Sequence, residues 1–132
     1  MKTVLLDTSA FIRFLAGDEK VLSALGRADR VAMSVFVLGE LLARFRAGAK
    51  EKRNREILDG FLDKPGVEVV NATRETAEYF ALIKTALKKA GRPIPINDVW
   101  IASHALETGS LLVTYDAHFS AVPGLRLWDE IG

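Results

Sequence analysis

Short blocks of consecutive apolar residues alternate along the chain with longer stretches in which apolar positions recur every three or four residues. Thr3–Leu6, Val31–Met33 and Leu111–Thr114 are such short blocks, and Val67–Val70 is another, interrupted by Glu68. They read as strands buried on both faces. Leu125–Trp128 is a candidate fifth. The stretches between them read as helices. Asp7, Thr8 and Ser9 are all good N-caps, and Phe11, Phe14 and Leu15 follow at helical spacing until Gly17 closes the segment. Lys20–Ala28 is a second short helix. Ser34 caps a long one with Val37, Leu38, Leu41 and Phe45 on one face. Glu51–Leu62 is more polar, and Lys64-Pro65-Gly66 turns the chain into the third strand. Thr73 opens the most regular amphipathic helix, in which Ala77, Phe80, Ile83, Leu87 and Ala90 keep the 3.6-residue period and Gly91 is the stop. Glu75 and Glu78 near its start and Lys88 and Lys89 at its end suit the helix dipole. Pro93 and Pro95 stiffen the loop that follows. Asn97 or Asp98 is expected to cap the next helix, which carries Ile101, Ala102, Ala105 and Leu106 inward and ends at Gly109.

Strands that alternate with helices of crossover length require a parallel sheet covered on both sides. The expected fold is therefore α/β, a three-layer α/β/α sandwich around a short sheet of four or five strands. No repeat, linker or low-complexity tract divides the 132 residues, so one domain spanning 1–132 is expected. The chain has no cysteine and two histidines, which excludes thiolate metal sites, a cysteine nucleophile and a histidine-rich metal site. No apolar run is long enough to span a bilayer and no signal peptide is seen, so a cytoplasmic protein is expected. Net charge is +1, from 18 basic and 17 acidic residues, so the distribution of charge carries more information than its sum.

In open parallel sheets the reactive site lies beyond the carboxyl ends of the strands. Three acids map there. Asp7 follows the first strand, Asp116 follows the fourth, and Asp98 opens the helix that leads into the fourth. Glu40 lies inside the apolar helix after the second strand. Each has an ordinary alternative: Asp7 and Asp98 as caps, Asp116 as a turn residue, Glu40 as the partner of Arg44 one turn on. Together they are harder to explain so. Two carboxylates about 5 Å apart repel by roughly 3 kcal/mol at an effective dielectric near 20. A hard divalent cation with oxygen ligands, Mg²⁺ or Mn²⁺, offsets that repulsion and suits phosphoryl chemistry.

The pieces Leu5-Leu6-Asp7-Thr8-Ser9, Leu38-Gly39-Glu40-Leu41, Ile96-Asn97-Asp98-Val99-Trp100-Ile101-Ala102 and Leu112-Val113-Thr114-Tyr115-Asp116-Ala117-His118-Phe119 resemble, in order and spacing, those of PIN-domain ribonucleases. The likeness is in particular to the VapC-like toxins of toxin–antitoxin pairs, and it covers essentially the whole chain. It implies a PIN-like sandwich and a catalytic quartet of Asp7, Glu40, Asp98 and Asp116. Asp7, Asp98 and Asp116 would hold Mg²⁺ or Mn²⁺, and Glu40 would either ligate the metal or orient the attacking water. The hydroxyls of Ser9 and Thr114 would support the cluster. It further implies cleavage of single-stranded or loop RNA, such as tRNA or rRNA, leaving a 5′-phosphate and a 3′-hydroxyl. The implied partners are the RNA, a VapB-like antitoxin that docks on the helices, and a second copy in a homodimer. A catalytically silent PIN-like module that binds RNA or assembles complexes is the alternative. An aspartyl phosphatase of the haloacid dehalogenase type wants a second Asp where Ser9 stands.

His104 and His118 read as packing or loop residues. Two basic groups, Lys50–Arg55 and the Lys84, Lys88, Arg92 stripe, are the candidates for a phosphate-binding rim. Phe11, Phe14, Phe36 and Phe45 are expected mostly in the core, with any exposed remainder forming a groove for a partner helix.

Overall fold

Thr3–Leu6 forms β1, and its four residues have no polar side chain beyond Thr3 to keep them at the surface; Val4, Leu5 and Leu6 are fully buried. The computed structural model describes residues 2–128. β1 lies between β2 (Arg30–Ser34) and β4 (Leu111–Val113), and β3 (Val67–Val70) completes the order β3-β2-β1-β4. Every pairing is parallel, with Val4 opposite Val31 on one side and Leu111 on the other. α1 (Thr8–Leu15) and α2 (Glu19–Gly26) connect β1 to β2, and α3 (Val35–Ala47) and α4 (Glu51–Leu62) connect β2 to β3. α5 (Arg74–Ala90) and α6 (Ile96–Thr108) then lead back across the sheet to β4. Right-handed crossovers place the first two pairs of helices on one face and the third pair on the other. Strand order reverses at β1, so the ends of β1 and β4 border the crevice where such folds bind ligands.

Local signals account for most helix ends. Ser34 caps α3 through a bond to the Phe36 N–H. Thr73 and Thr76 form a reciprocal capping box at the start of α5. Gly91 and Gly109 end α5 and α6 with φ of 65° and 64°, a conformation that costs a β-carbon-bearing residue about 1 kcal/mol.

Three expectations change. α1 has a single cap, Asp7, while Thr8 and Ser9 lie inside the helix. α6 starts at Ile96, earlier than an Asn97 or Asp98 cap allows: Pro95 is the N-cap, and its carbonyl accepts from the Asp98 and Val99 N–H groups. Proline's fixed φ already suits a helix start, so neither polar side chain is needed there, and Asp98 keeps its carboxylate free of capping. Among the described residues Leu125–Trp128 is no strand. It touches the sheet through one parallel bridge, Leu112 to Leu127. The four phenylalanines are likewise all engaged: Phe11 and Phe45 are buried, Phe14 packs on Phe11 and Phe61, and Phe36 stacks on Trp100. No exposed aromatic strip runs along α1 and α3.

Candidate active site

Asp7 leaves the end of β1 with only 3% of its surface exposed. Its Oδ1 accepts from the Ala10 N–H at 2.8 Å and from the Ser9 hydroxyl at 2.7 Å. Its Oδ2 accepts from the Thr114 hydroxyl at 2.5 Å. Ser9 and Thr114 do more than donate. Ser9 Oγ accepts from the Tyr115 N–H at 3.2 Å, and Thr114 Oγ1 accepts from the Asp116 N–H at 2.9 Å. Two hydroxyls thus lace the residues after β1 to those after β4, and the Trp128 indole N–H secures the same segment at the Thr114 carbonyl, 2.6 Å away.

Glu40 comes from α3, and its Oε1 accepts from the Thr8 hydroxyl at 2.5 Å. Thr8 is the first residue of α1, so this bond sets α3 against α1. Asp98 stands in the first turn of α6, where a negative charge is favoured by the helix dipole. Asp116 caps the 3₁₀ turn Ala117–Ala121 by accepting from the His118 N–H at 2.9 Å.

Asp7, Glu40, Asp98 and Asp116 all line one cleft of about 330 Å³. The four predicted acids are therefore brought together, with Ser9 on the same wall and Thr114 buried directly behind Asp7. Their charges are poorly balanced. Among the described residues no lysine or arginine nitrogen lies within 4.0 Å of any of the four carboxylates. His118 alone does, with Nδ1 3.1 Å from Asp116 and 3.5 Å from Asp98. Burial pushes the Asp7 carboxyl above its ordinary range, against the pull of its three hydrogen bonds, and the Asp116 charge adds to the rise. Asp98 is pushed up to about 6, first by burial and then by the Asp116 and Glu40 charges, with His118 opposing. Such perturbed carboxyls concentrated in a cleft mark functional sites.

The structure revises the surroundings. Neither predicted basic group lines the cleft: Lys84 and Lys88 border a separate depression with Ile94 and Val99, and Arg55 pairs with Glu51 on α4. Arg13 and Arg44 supply the rim instead. Arg44 makes no ion pair with Glu40 among the described residues; Thr8 is the partner of that acid. Arg13 lies over the Tyr115 ring at 4.4 Å and reaches Asp18, whose other partner is the Tyr115 hydroxyl. Thr8 and Arg13 carry no site role in the sequence reading, and His118, read there as a packing or loop residue, faces two of the acids. Thr8 and His118 lie within two positions of a candidate acid, and Arg13 lies one helical turn beyond Ser9, so proximity to the acids was the available signal.

His104, by contrast, is a core residue. Its Nε2 faces the Asn71 carbonyl at 3.2 Å and must donate, which leaves Nδ1 to accept from the Ser34 hydroxyl at 2.7 Å. Burial holds its pKa below the usual histidine range, so the ring is neutral and ties α6 to the start of α3.

A parallel sheet with a carboxylate-lined crevice at its strand ends defines a class of α/β domain able to hold a divalent cation there, and comparison with known proteins identifies the family. Residues 4–125 match the PIN domain family, and the chain belongs to that family. It is similar to Ribonuclease VapC2 of Rickettsia felis, with 32% identity over 112 residues, 83% of this chain and 82% of that protein. The fold matches DNA-bound VapBC from Salmonella typhimurium with a TM-score of 0.85 at 26% identity, over 97% of this chain and 98% of that one. It also matches VapBC-5 of Mycobacterium tuberculosis, a member of the VapBC family of toxin–antitoxin systems, with a TM-score of 0.73 at 27% identity over 97% of each chain. No helix of the described residues is long and apolar enough to cross a membrane.

Proposed function

We propose that this protein is a metal-dependent endoribonuclease toxin of the VapC type. It hydrolyses phosphodiester bonds in single-stranded or loop RNA such as tRNA or rRNA, in the cytoplasm, and is held inactive by a VapB-like antitoxin. The observation that carries this reading is the convergence of Asp7, Glu40, Asp98 and Asp116 on one cleft in which, among the described residues, no lysine or arginine nitrogen comes within 4.0 Å of their carboxylates. The donor set fits a hard divalent cation, since it consists of carboxylate oxygens held in place by hydroxyls and backbone.

Asp7, Asp98 and Asp116 would hold Mg²⁺ or Mn²⁺, directly or through water. When bound, such an ion supplies an acidified water nucleophile and neutralises charge on the phosphoryl oxygens. The protein's own part is positional. Ser9 and Thr114 fix both oxygens of Asp7, so this carboxylate cannot rotate away. Thr8 holds one oxygen of Glu40, leaving the other to ligate the metal or to orient the attacking water. Arg13 and Arg44 at the rim offset the repulsion between an acidic cleft and a polyanion.

Purified protein incubated with total RNA and Mg²⁺ or Mn²⁺ tests the reading. Discrete cleavage, abolished by EDTA and by Asp7→Ala, with 5′-phosphate and 3′-hydroxyl ends, is the expected result. Cleavage that survives Asp7→Ala would refute the assignment. RNA binding with no cleavage under any metal would favour a silent binding module.

A further inference from the structure

We propose that His118 is a nitrogen ligand of the cation held by Asp98 and Asp116, and that it shifts the preference of the site from Mg²⁺ toward Mn²⁺ and other first-row transition ions. The inference rests on the reading of this cleft as a metal site and adds a residue to it.

Three observations converge. The first is spacing. Adjacent ligands on an octahedral ion with bonds of about 2.1 Å lie about 3.0 Å apart. His118 Nδ1 is 3.1 Å from Asp116 Oδ1 and 3.5 Å from Asp98 Oδ2. One donor atom from each of the three residues falls within 4.8 Å of the other two. The imidazole therefore faces two carboxylates carried by two different elements, as a shared ligand set does. The second is anchoring. The His118 backbone N–H is bonded to Asp116 Oδ1, so the turn that carries the imidazole is fixed by the carboxylate beside it. The ring remains 54% exposed, which leaves room for an ion and its water. The third concerns Asp98. Asp7 and Glu40 have hydroxyl partners, but among the described residues the Asp98 side chain, only 16% exposed, has no partner other than His118. Its oxygens are thus held by no hydroxyl or backbone donor, among the described residues, that an incoming cation would have to displace.

Ligand chemistry then sets selectivity. Mg²⁺ takes oxygen ligands almost exclusively, whereas affinity for nitrogen rises along the first-row ions. An imidazole added to an oxygen set favours the transition ion.

The test uses Mn²⁺ itself as probe. Electron spin-echo spectra of Mn²⁺-loaded wild type should show ¹⁴N modulation, and His118→Ala and His118→Gln should lose it. His104 cannot be the source, because it is fully buried with both ring nitrogens engaged. Calorimetric titration should show His118→Ala losing about tenfold in Mn²⁺ affinity and less than about twofold in Mg²⁺ affinity. Unchanged far-UV circular dichroism verifies that the variants are folded. Absence of ¹⁴N modulation in wild type, while Asp98→Asn still abolishes Mn²⁺ binding, overturns the role of His118 and leaves the carboxylate site standing. Mn²⁺ binding that is indifferent to Asp98→Asn overturns the site itself, and this inference with it.

Discussion

Replacing Asp98 by asparagine should stabilise the metal-free protein while abolishing its activity. The side chain is only 16% exposed, and its carboxyl is pushed from 3.8 to about 6 by burial and by the neighbouring Asp116 and Glu40 charges. Native Asp98 therefore holds its proton to a higher pH than the unfolded chain does. Between pH 3.8 and about 6 the native state binds the extra proton, so this group's contribution to stability falls as pH rises and stays low above that window. The displacement corresponds to at most about 3 kcal/mol at neutral pH, and to less once solvent screening of this partly buried group is counted. Asparagine removes the charge and keeps the shape. His104 works in the opposite sense: its lowered pKa makes stability rise with pH up to the ordinary histidine value, 6.5. The quantity to measure is therefore the difference between wild type and variant, in which His104 cancels. Thermal unfolding in EDTA should show no difference near pH 3.5 and an advantage for Asp98→Asn of up to roughly 10 °C at pH 7.5. Saturating Mn²⁺ should then raise the wild type, by about 2.7 kcal/mol at a hundred times the dissociation constant, and leave the variant nearly unmoved. A variant no more stable than wild type at pH 7.5 in EDTA would refute the reasoning, because the clustered charges would then carry no cost for a metal to relieve.

Other consequences are as direct. Thr114→Val deletes the donor to Asp7 Oδ2 and the acceptor of the Asp116 N–H in a fully buried position, and should cost about 1–3 kcal/mol in denaturant unfolding together with most of the nuclease activity. Asp7→Ala removes the α1 cap as well as the acid, so it should lose about 1 kcal/mol or more beyond its loss of cleavage, a difference urea titration detects. Arg13→Gln and Arg44→Gln should each weaken RNA binding and lower the slope of log affinity against log salt by about 0.7, while Lys84→Gln, away from the cleft, should leave the slope unchanged. His104→Leu should destabilise by about 1–3 kcal/mol and leave the Ser34 hydroxyl without its acceptor.

β1 and β4 were legible because each is a short block dominated by buried apolar residues, and the positions of Asp7 and Asp116 follow from the ends of those blocks; β3 is interrupted by Glu68 and, as an edge strand, is only partly buried. Asp98 was placed at the right turn for the wrong reason: the cap signal of Asn97 and Asp98 was overridden by Pro95, whose backbone alone suffices to start α6. Leu125–Trp128 looked like a strand because its apolar residues fit one, but it meets Leu112 in a single bridge, and residue type does not encode how long a pairing persists. The rim was misread for a different reason. Lys84 and Lys88 have the more conspicuous pattern, yet a stripe along one helix says nothing about which cleft it faces; Arg44 lies one turn beyond Glu40 and reads as its ion-pair partner, and only the packing of α1 against α3 sets it and Arg13 at the mouth of the same cleft. His118 was undervalued because a single histidine in a loop has no spacing to test.

The lacing of Asp7 to Thr114 and of Ser9 to Tyr115 joins residues separated by 107 and 106 positions. The carboxylate that opens the chain's first helix is thus held by a hydroxyl that the ribosome makes more than a hundred residues later. Until β4 has been synthesised and has docked beside β1, Asp116 is missing and Asp7 lacks its Thr114 donor. Closing a loop of this span carries an entropic cost that grows with the logarithm of its length. On this account the acidic cluster is assembled only when β4 docks beside β1, and a chain that has not yet made β4 carries no complete centre.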